Sequence, residues 1–312
     1  MREILLVLVP VLVFLGVRAL WQRRGGSGDA SWGASRGGGA VLVGDVAVVR
    51  AAELRPSSAR MALTLANVEG RRLIAHPVFI ILGILLPLSQ ILLFSLDAGG
   101  DDNITWMAVL WSAFLGLSAM IASNLGALRS RRERTEELFD SEPMSPSART
   151  VGHLTSAVWA AVAAAVLLSA LVALAPAIGK SAVFYPGERF LPSFDLLQLP
   201  MSVAVLAVLG VAIARWLPYP PVGPVVAVVW FVGPLQWLAE SGARWLMPLV
   251  FPDGRSVPSA VMAWHVAYLG GLCVLLGSVA VLRSGWSRPV AFGLGAGAAV
   301  TVAAGAIQLA VA

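Results

Sequence analysis

Hydrophobic residues in this chain do not alternate with polar ones; they run. Eight stretches carry almost no charge, near Ile4–Leu20, Val78–Leu96, Thr105–Ala127, Leu154–Ala177, Leu199–Leu217, Val222–Glu240, Ala260–Leu282 and Val290–Val311. Each approaches the roughly 20 residues that a helix needs to cross a hydrocarbon core about 30 Å thick. Barrel strands would alternate over about ten residues, so the expected fold is all-α, a polytopic membrane helix bundle with about eight transmembrane helices. Between the first two runs the pattern changes twice. Residues 25–39, GGSGDASWGASRGGG, have the composition of a flexible tether, and the AVLVGDVAVVRAAEL that follows is too short and too charged to span. Arg60–His76 then returns to helical spacing, with Met61, Leu65 and Val68 on one face and Glu69 and Arg71 elsewhere on the wheel. It ends in the basic pair Arg71 and Arg72, with Pro77 opening the next run, and reads as an amphipathic elbow helix at the membrane interface.

Composition and charge sharpen this picture. With 58% hydrophobic and 12% charged residues over 312 positions, the polar surface could not cover the apolar mass of a water-soluble globule. Lys and Arg fall unevenly between the runs. The loops and span ends after the first, third, fifth and seventh runs hold sixteen, whereas the other loops and the termini hold five. That asymmetry places the first group in the cytoplasm and both termini outside. The opening run is taken as a retained anchor rather than a cleaved leader, because cleavage would leave Arg23 through Arg72 on the outer side, against the same rule. The pI of 10.3 therefore reflects orientation and contact with anionic membrane lipid, with no nucleic acid implied. The expected location is a cytoplasmic membrane, multi-pass, in a bacterium.

Chemistry is sparse. Gly179-Lys180-Ser181 lacks the earlier glycine of a phosphate-binding loop, since Leu174 stands there. Gly293, Gly297, Thr301 and Gly305 recur every four residues inside an apolar run, which suits close helix packing rather than a dinucleotide. His76, His153 and His265 are scattered, Cys273 is alone, and no acid falls in the middle of a run. No catalytic residue, bound cofactor or metal site is expected, and ion-coupled transport lacks its usual central carboxylate.

One loop stands apart. Arg129–Gly152, RSRRERTEELFDSEPMSPSARTVG, concentrates five arginines and five carboxylates between two apolar runs. Within it Thr135, Glu137, Leu138, Phe139, Pro143 and Ser145 match a pattern of the type-2 ABC exporter permease family, although Arg134 stands where that family has glycine. The upstream Val68-Glu69-Gly70-Arg71-Arg72-Leu73-Ile74-Ala75-His76-Pro77 also resembles that family's elbow. The resemblance covers about Met61–Leu282, and the short apolar piece at Trp245–Pro252 falls where the family has outer gate helices.

What the resemblance implies is a membrane subunit that moves substrate with ATP hydrolysed elsewhere. ATP and Mg would sit on separate ABC ATPase subunits, and the chain would pair with itself or a related permease. Arg131, Arg132, Arg134, Glu136, Glu137, Leu138 and Phe139 would form the coupling helix that meets the ATPase, with Glu69, Arg71 and Arg72 on the elbow. The domain plan is then an anchor at 1–24, a linker at 25–60, a six-helix permease at 61–282 and an additional helix at 283–312. A non-transporting membrane scaffold or assembly subunit, docking a soluble partner through the 129–152 loop, is the alternative.

Overall fold

The computed structural model of the protein describes residues 58–90, 104–129, 144–175, 193–227, 229, 246–248 and 259–311. The chain divides into two compact units, Met1–Arg60 and Met61–Ala312. Among the described residues all regular structure is helical. In chain order the elements are α1 (Ser58–Ile74), α2 (Phe79–Leu85, a π-helix), α3 (Ile104–Ala127), α4 (Pro146–Thr155), α5 (Ala157–Leu174), α6 (Ser193–Trp216), α7 (Ser259–Leu282) and α8 (Arg288–Val311). Five helical stretches are long and apolar enough to cross a membrane: Met107–Ala127, Pro146–Leu174, Leu197–Trp216, Ala260–Leu282 and Arg288–Val311. A sixth is reached if α1 and Phe79–Gln90, bent by 59° at the break between them, count as one span. The structure thus gives an all-helical bundle with five candidate spans, or six with the bent pair, among the described residues. Ile4–Leu20 lies outside those residues, as does most of Val222–Glu240, of which 222–227 is helical.

One boundary differs from the sequence expectation. The span expected from Leu154 begins at Pro146. Ser145 caps the helix there, its hydroxyl oxygen accepting the Ala148 N–H at 3.2 Å, and proline occupies the first turn, where its missing N–H costs nothing. A polar but well-capped stretch can therefore be helical without looking apolar.

Helices α3 and α6 are the centre of the bundle. The most apolar stretch of each is 78% and 72% buried, against 22–28% for the spans of α5, α7 and α8. Between α3 and α6 the Ser123 hydroxyl donates to Ala207 O at 2.8 Å, and the Asn124 amide to Gly210 O at 3.1 Å. These pairs and the contact of Gly116 with Leu206 rise together in number, so α3 and α6 run parallel. Helix α7 lies parallel to α6, since Trp216 Nε1 donates to Val279 O at 2.9 Å while Val205 packs with Tyr268 and Leu269. Helix α8 is antiparallel to α7, with Gly293 beside Ser278 and Gly305 beside Tyr268.

The outer helices turn apolar side chains away from the protein. Val158, Val162 and Val166 form a stripe along α5, and Phe292 and Val302 on α8 are 78% and 70% exposed. Apolar faces of this extent suit contact with lipid. The α2 turn is tied to the centre by Trp111, whose indole N–H donates to Gly83 O at 2.7 Å.

Candidate functional site

Polar side chains gather at the two ends of the bundle. The basic end is formed by the C-terminal ends of α1, α3, α6 and α7 and by α4. Glu69 on α1 is 9% exposed, and among the described side chains it is the sole carboxylate. A buried carboxylate costs several kcal/mol unless it is paired. Arg72 supplies the pairing at 2.7 Å from one helical turn away, and Arg129, at the end of α3, lies 3.9 Å from the same oxygen. Glu69 therefore links α1 to the residue where the charge-dense loop begins.

Two close approaches seat α1 on α4 and α5. A Cβ on Gly70 would overlap the indole of Trp159, and one on Gly152 would come within 3.1 Å of Ala62 O. The Arg71 guanidinium lies 5.9 Å from the Trp159 ring centroid, in cation–π range. The buried face of α1 consists of Ala62, Ala66, Glu69, Gly70 and Leu73, while Val68 is exposed and Met61 and Leu65 are half-buried. The packed face of α1 is thus built mainly of small residues, which allow close approach, while Met61, Leu65 and Val68 are not among its buried residues.

A cleft opens beside Glu69, lined by Arg72, His76, Ser123, Arg129, His153 and Ser156 among others. Its volume for water-sized molecules is about 20 Å³, room for roughly one water. His76 Nδ1 accepts the Val78 N–H at 3.2 Å. Arg129, Arg149 and Arg215 all lie within Coulombic range of His153. Ser284, at the end of α7, meets Thr150 at 3.2 Å and closes this end of the bundle.

The opposite end holds a second polar group. His265 of α7 and Gln308 of α8 are fully buried, with Nδ1 3.3 Å from Oε1. Tyr268 stacks on His265 at 6.0 Å between ring centroids, and its hydroxyl donates to Leu246 O at 2.8 Å. On the α7-facing side of α6, Gln198 and Ser202 are buried near the same level.

Of the residues singled out from sequence, Glu69, Arg71 and Arg72 lie on α1, Glu69 and Arg72 lining the cleft and Arg71 lying over Trp159. Gly293, Gly297, Thr301 and Gly305 face α7, where Gly297 meets Leu275 and Thr301 meets Gly271. Arg131, Arg132, Arg134, Glu136, Glu137, Leu138 and Phe139 lie outside the described residues. Sequence reasoning missed the Glu69–Arg129 pairing and the His265–Gln308 pairing. The one local clue to the first is the helical spacing of Glu69 and Arg72. No family model, no curated protein and no solved structure matches the chain.

Proposed function

We propose that this chain is the membrane subunit of an ABC exporter, moving a substrate with ATP hydrolysed by separate ATPase subunits that dock on the 129–152 loop. The observation that best supports the reading is the link from Glu69 to Arg129, which ties an elbow-like helix bent by 59° to the root of that loop. The far end of the loop runs into the Ser145 cap of α4, and α4 is braced against α1 through Gly152. A push received by the loop would then reach α1, α3 and α5 together. In this reading α1 lies at the cytoplasmic interface, Leu138 and Phe139 enter a cleft on the ATPase, and Arg131, Arg132, Arg134, Glu136 and Glu137 set the register. Two copies, or this chain and a related permease, would complete the complex, with the first and last helices added to a six-helix core.

One observation favours a second reading. Helices α3 and α6 are the most enclosed of the bundle, and the cleft described above has room for about one water, far less than a transported substrate needs. A path between two chains, or a non-transporting scaffold, would accommodate this. Phe139→Asp separates these readings. A charge at the docking contact should weaken ATPase association by about 2–4 kcal/mol and abolish ATP-driven export. Undiminished ATPase co-purification together with undiminished export refutes the docking role. ATPase capture that is lost on mutation, from a protein that never exports, selects the scaffold.

A further inference from the structure

We infer that the turn between α7 and α8 is a membrane anchor, in which Trp286 lies among lipid headgroups and Arg283 and Arg288 hold anionic phospholipid beside it. Only embedding of the two spans is required, so neither export nor an ATPase partner enters. The turn is built rather than loose. Helix α7 closes with the Ser284 N–H on Val281 O at 2.8 Å and the Gly285 N–H on Leu282 O at 3.0 Å. Gly285 takes φ +132°, which glycine adopts without the penalty a Cβ would bring. Pro289 sits in the first turn of α8, and the Ala291 N–H bonds Ser287 O at 2.9 Å. The Ser284 hydroxyl meets Thr150 of α4 at 3.2 Å, which fixes the turn to the bundle. Trp286 is therefore presented by an ordered backbone, yet it is 71% exposed.

The ring stands where two apolar spans end, Ala260–Leu282 and Arg288–Val311, and Phe292, one turn into the second, is exposed as well. Because α6 runs parallel to α7, the end of α6 lies on the same side, and there Trp216 and Tyr219 are exposed. The Trp216 indole N–H donates to Val279 O at 2.9 Å, which ties that ring to α7. One exposed aromatic is ordinary on a protein surface, but three gathered at one end of the spans form a belt. Indole and phenol rings join an apolar body to a polar N–H or O–H, which suits them to the headgroup level.

Charge selects the lipid. Arg283 and Arg288 flank the ring in sequence, and both are exposed. Glu69 is the sole carboxylate among the described side chains and is paired on α1, so neither arginine has an ion-pair partner among the described residues. Guanidinium groups bind phosphate oxygens through paired hydrogen bonds, and a headgroup layer supplies those oxygens at the level where the spans end. A zwitterionic lipid carries its own cation beside the phosphate. Two arginines without carboxylates therefore favour lipid of net negative charge.

The test uses the purified full chain in phosphatidylcholine nanodiscs containing phosphatidylglycerol. Because the chain has eleven tryptophans, Trp286 emission is taken as the difference between the wild type and Trp286→Phe. Phospholipid spin-labelled near the headgroup should quench that emission strongly and aqueous acrylamide weakly. Labelled phosphatidylglycerol should quench at a lower lipid fraction than labelled phosphatidylcholine, by about fivefold for each arginine at low salt. Arg283→Gln with Arg288→Gln should remove this preference and leave quenching by labelled phosphatidylcholine in place. Both side chains are exposed, so the unfolding midpoint should not move. Strong acrylamide quenching with none from labelled lipid overturns the anchor. Protection from acrylamide that appears only when ATPase is added assigns the turn to a protein partner and overturns it too. A phosphatidylglycerol preference that survives both substitutions overturns the role of the arginines. Phe139→Asp bears on ATPase docking alone, and the lipid outcomes stand or fall without it.

Discussion

Gly297 and Gly295 provide a controlled test of how the last two helices are held together. Both sit in α8, two residues apart, and both change to leucine with the same gain in helix propensity. Their surroundings differ. A Cβ on Gly297 would lie 2.6 Å from Leu275 N and 2.9 Å from its Cα, whereas one on Gly295 meets nothing within 4 Å. To bring the first contact out to 3.4 Å, ordinary van der Waals distance, α7 and α8 must separate locally by 0.8 Å, the difference of the two figures. The obstacle is backbone, so rotating a side chain gives no relief. Overpacking of this kind costs about 1–3 kcal/mol. In lipid there is little hydrophobic drive between helices to offset it, because close packing is itself a main source of association. Gly297→Leu should therefore lower the thermal unfolding midpoint in detergent by several degrees, and Gly295→Leu should leave it unchanged or slightly raised. The two proteins are compared at matched detergent and protein concentration. Equal midpoints for both would refute the contact between α7 and α8 on this face. A loss confined to Gly295→Leu would place the packing surface on the opposite side of α8.

Two further outcomes are expected. His265→Leu removes the bond to Gln308 and should cost about 0.6–1.7 kcal/mol of unfolding free energy. The orientation can be read directly: a cysteine introduced at Ser141 should resist an impermeant thiol reagent in intact cells and one at Ser193 should react, with the reverse pattern inverting every assignment of sides.

The central spans were legible because membrane insertion selects on composition alone. Expected limits of Thr105–Ala127, Ala260–Leu282 and Val290–Val311 stand beside observed helices Ile104–Ala127, Ser259–Leu282 and Arg288–Val311. What was not legible depends on contacts between distant residues or on small side chains. Ala62, Ala66 and Gly70 carry almost no amphipathic signal, yet they are the packed face of α1, and the larger Leu63 and Val68 are exposed. Glu69 looks like one member of a helix-surface pair with Arg72 until α3 brings Arg129 beside it. His265 and Gln308 meet only because α7 and α8 run antiparallel with a particular register. The loop at 130–143, which carried most of the functional argument from sequence, lies outside the described residues, so its role rests on its composition and on the geometry of its two roots.

That geometry bears on how the bundle could transmit motion. Between α3 and α6 the contacts run through small residues and backbone acceptors: Gly210 meets Met120 O and Ser123, and the Asn124 amide bonds to Gly210 O. Side-chain layers can slide by changing rotamers, but backbone in direct contact has no such slack. A force on the root of the loop at Arg129 would therefore move α3 and α6 as one body rather than shear them apart. Helix α1 breaks before α2, a junction that joins an α-helix to a π-helix through a 59° bend. Under the proposed reading the elbow is the hinge and the α3–α6 pair the lever. Glu69, paired with Arg72 on the elbow and lying near Arg129 on the lever, sits where the two meet.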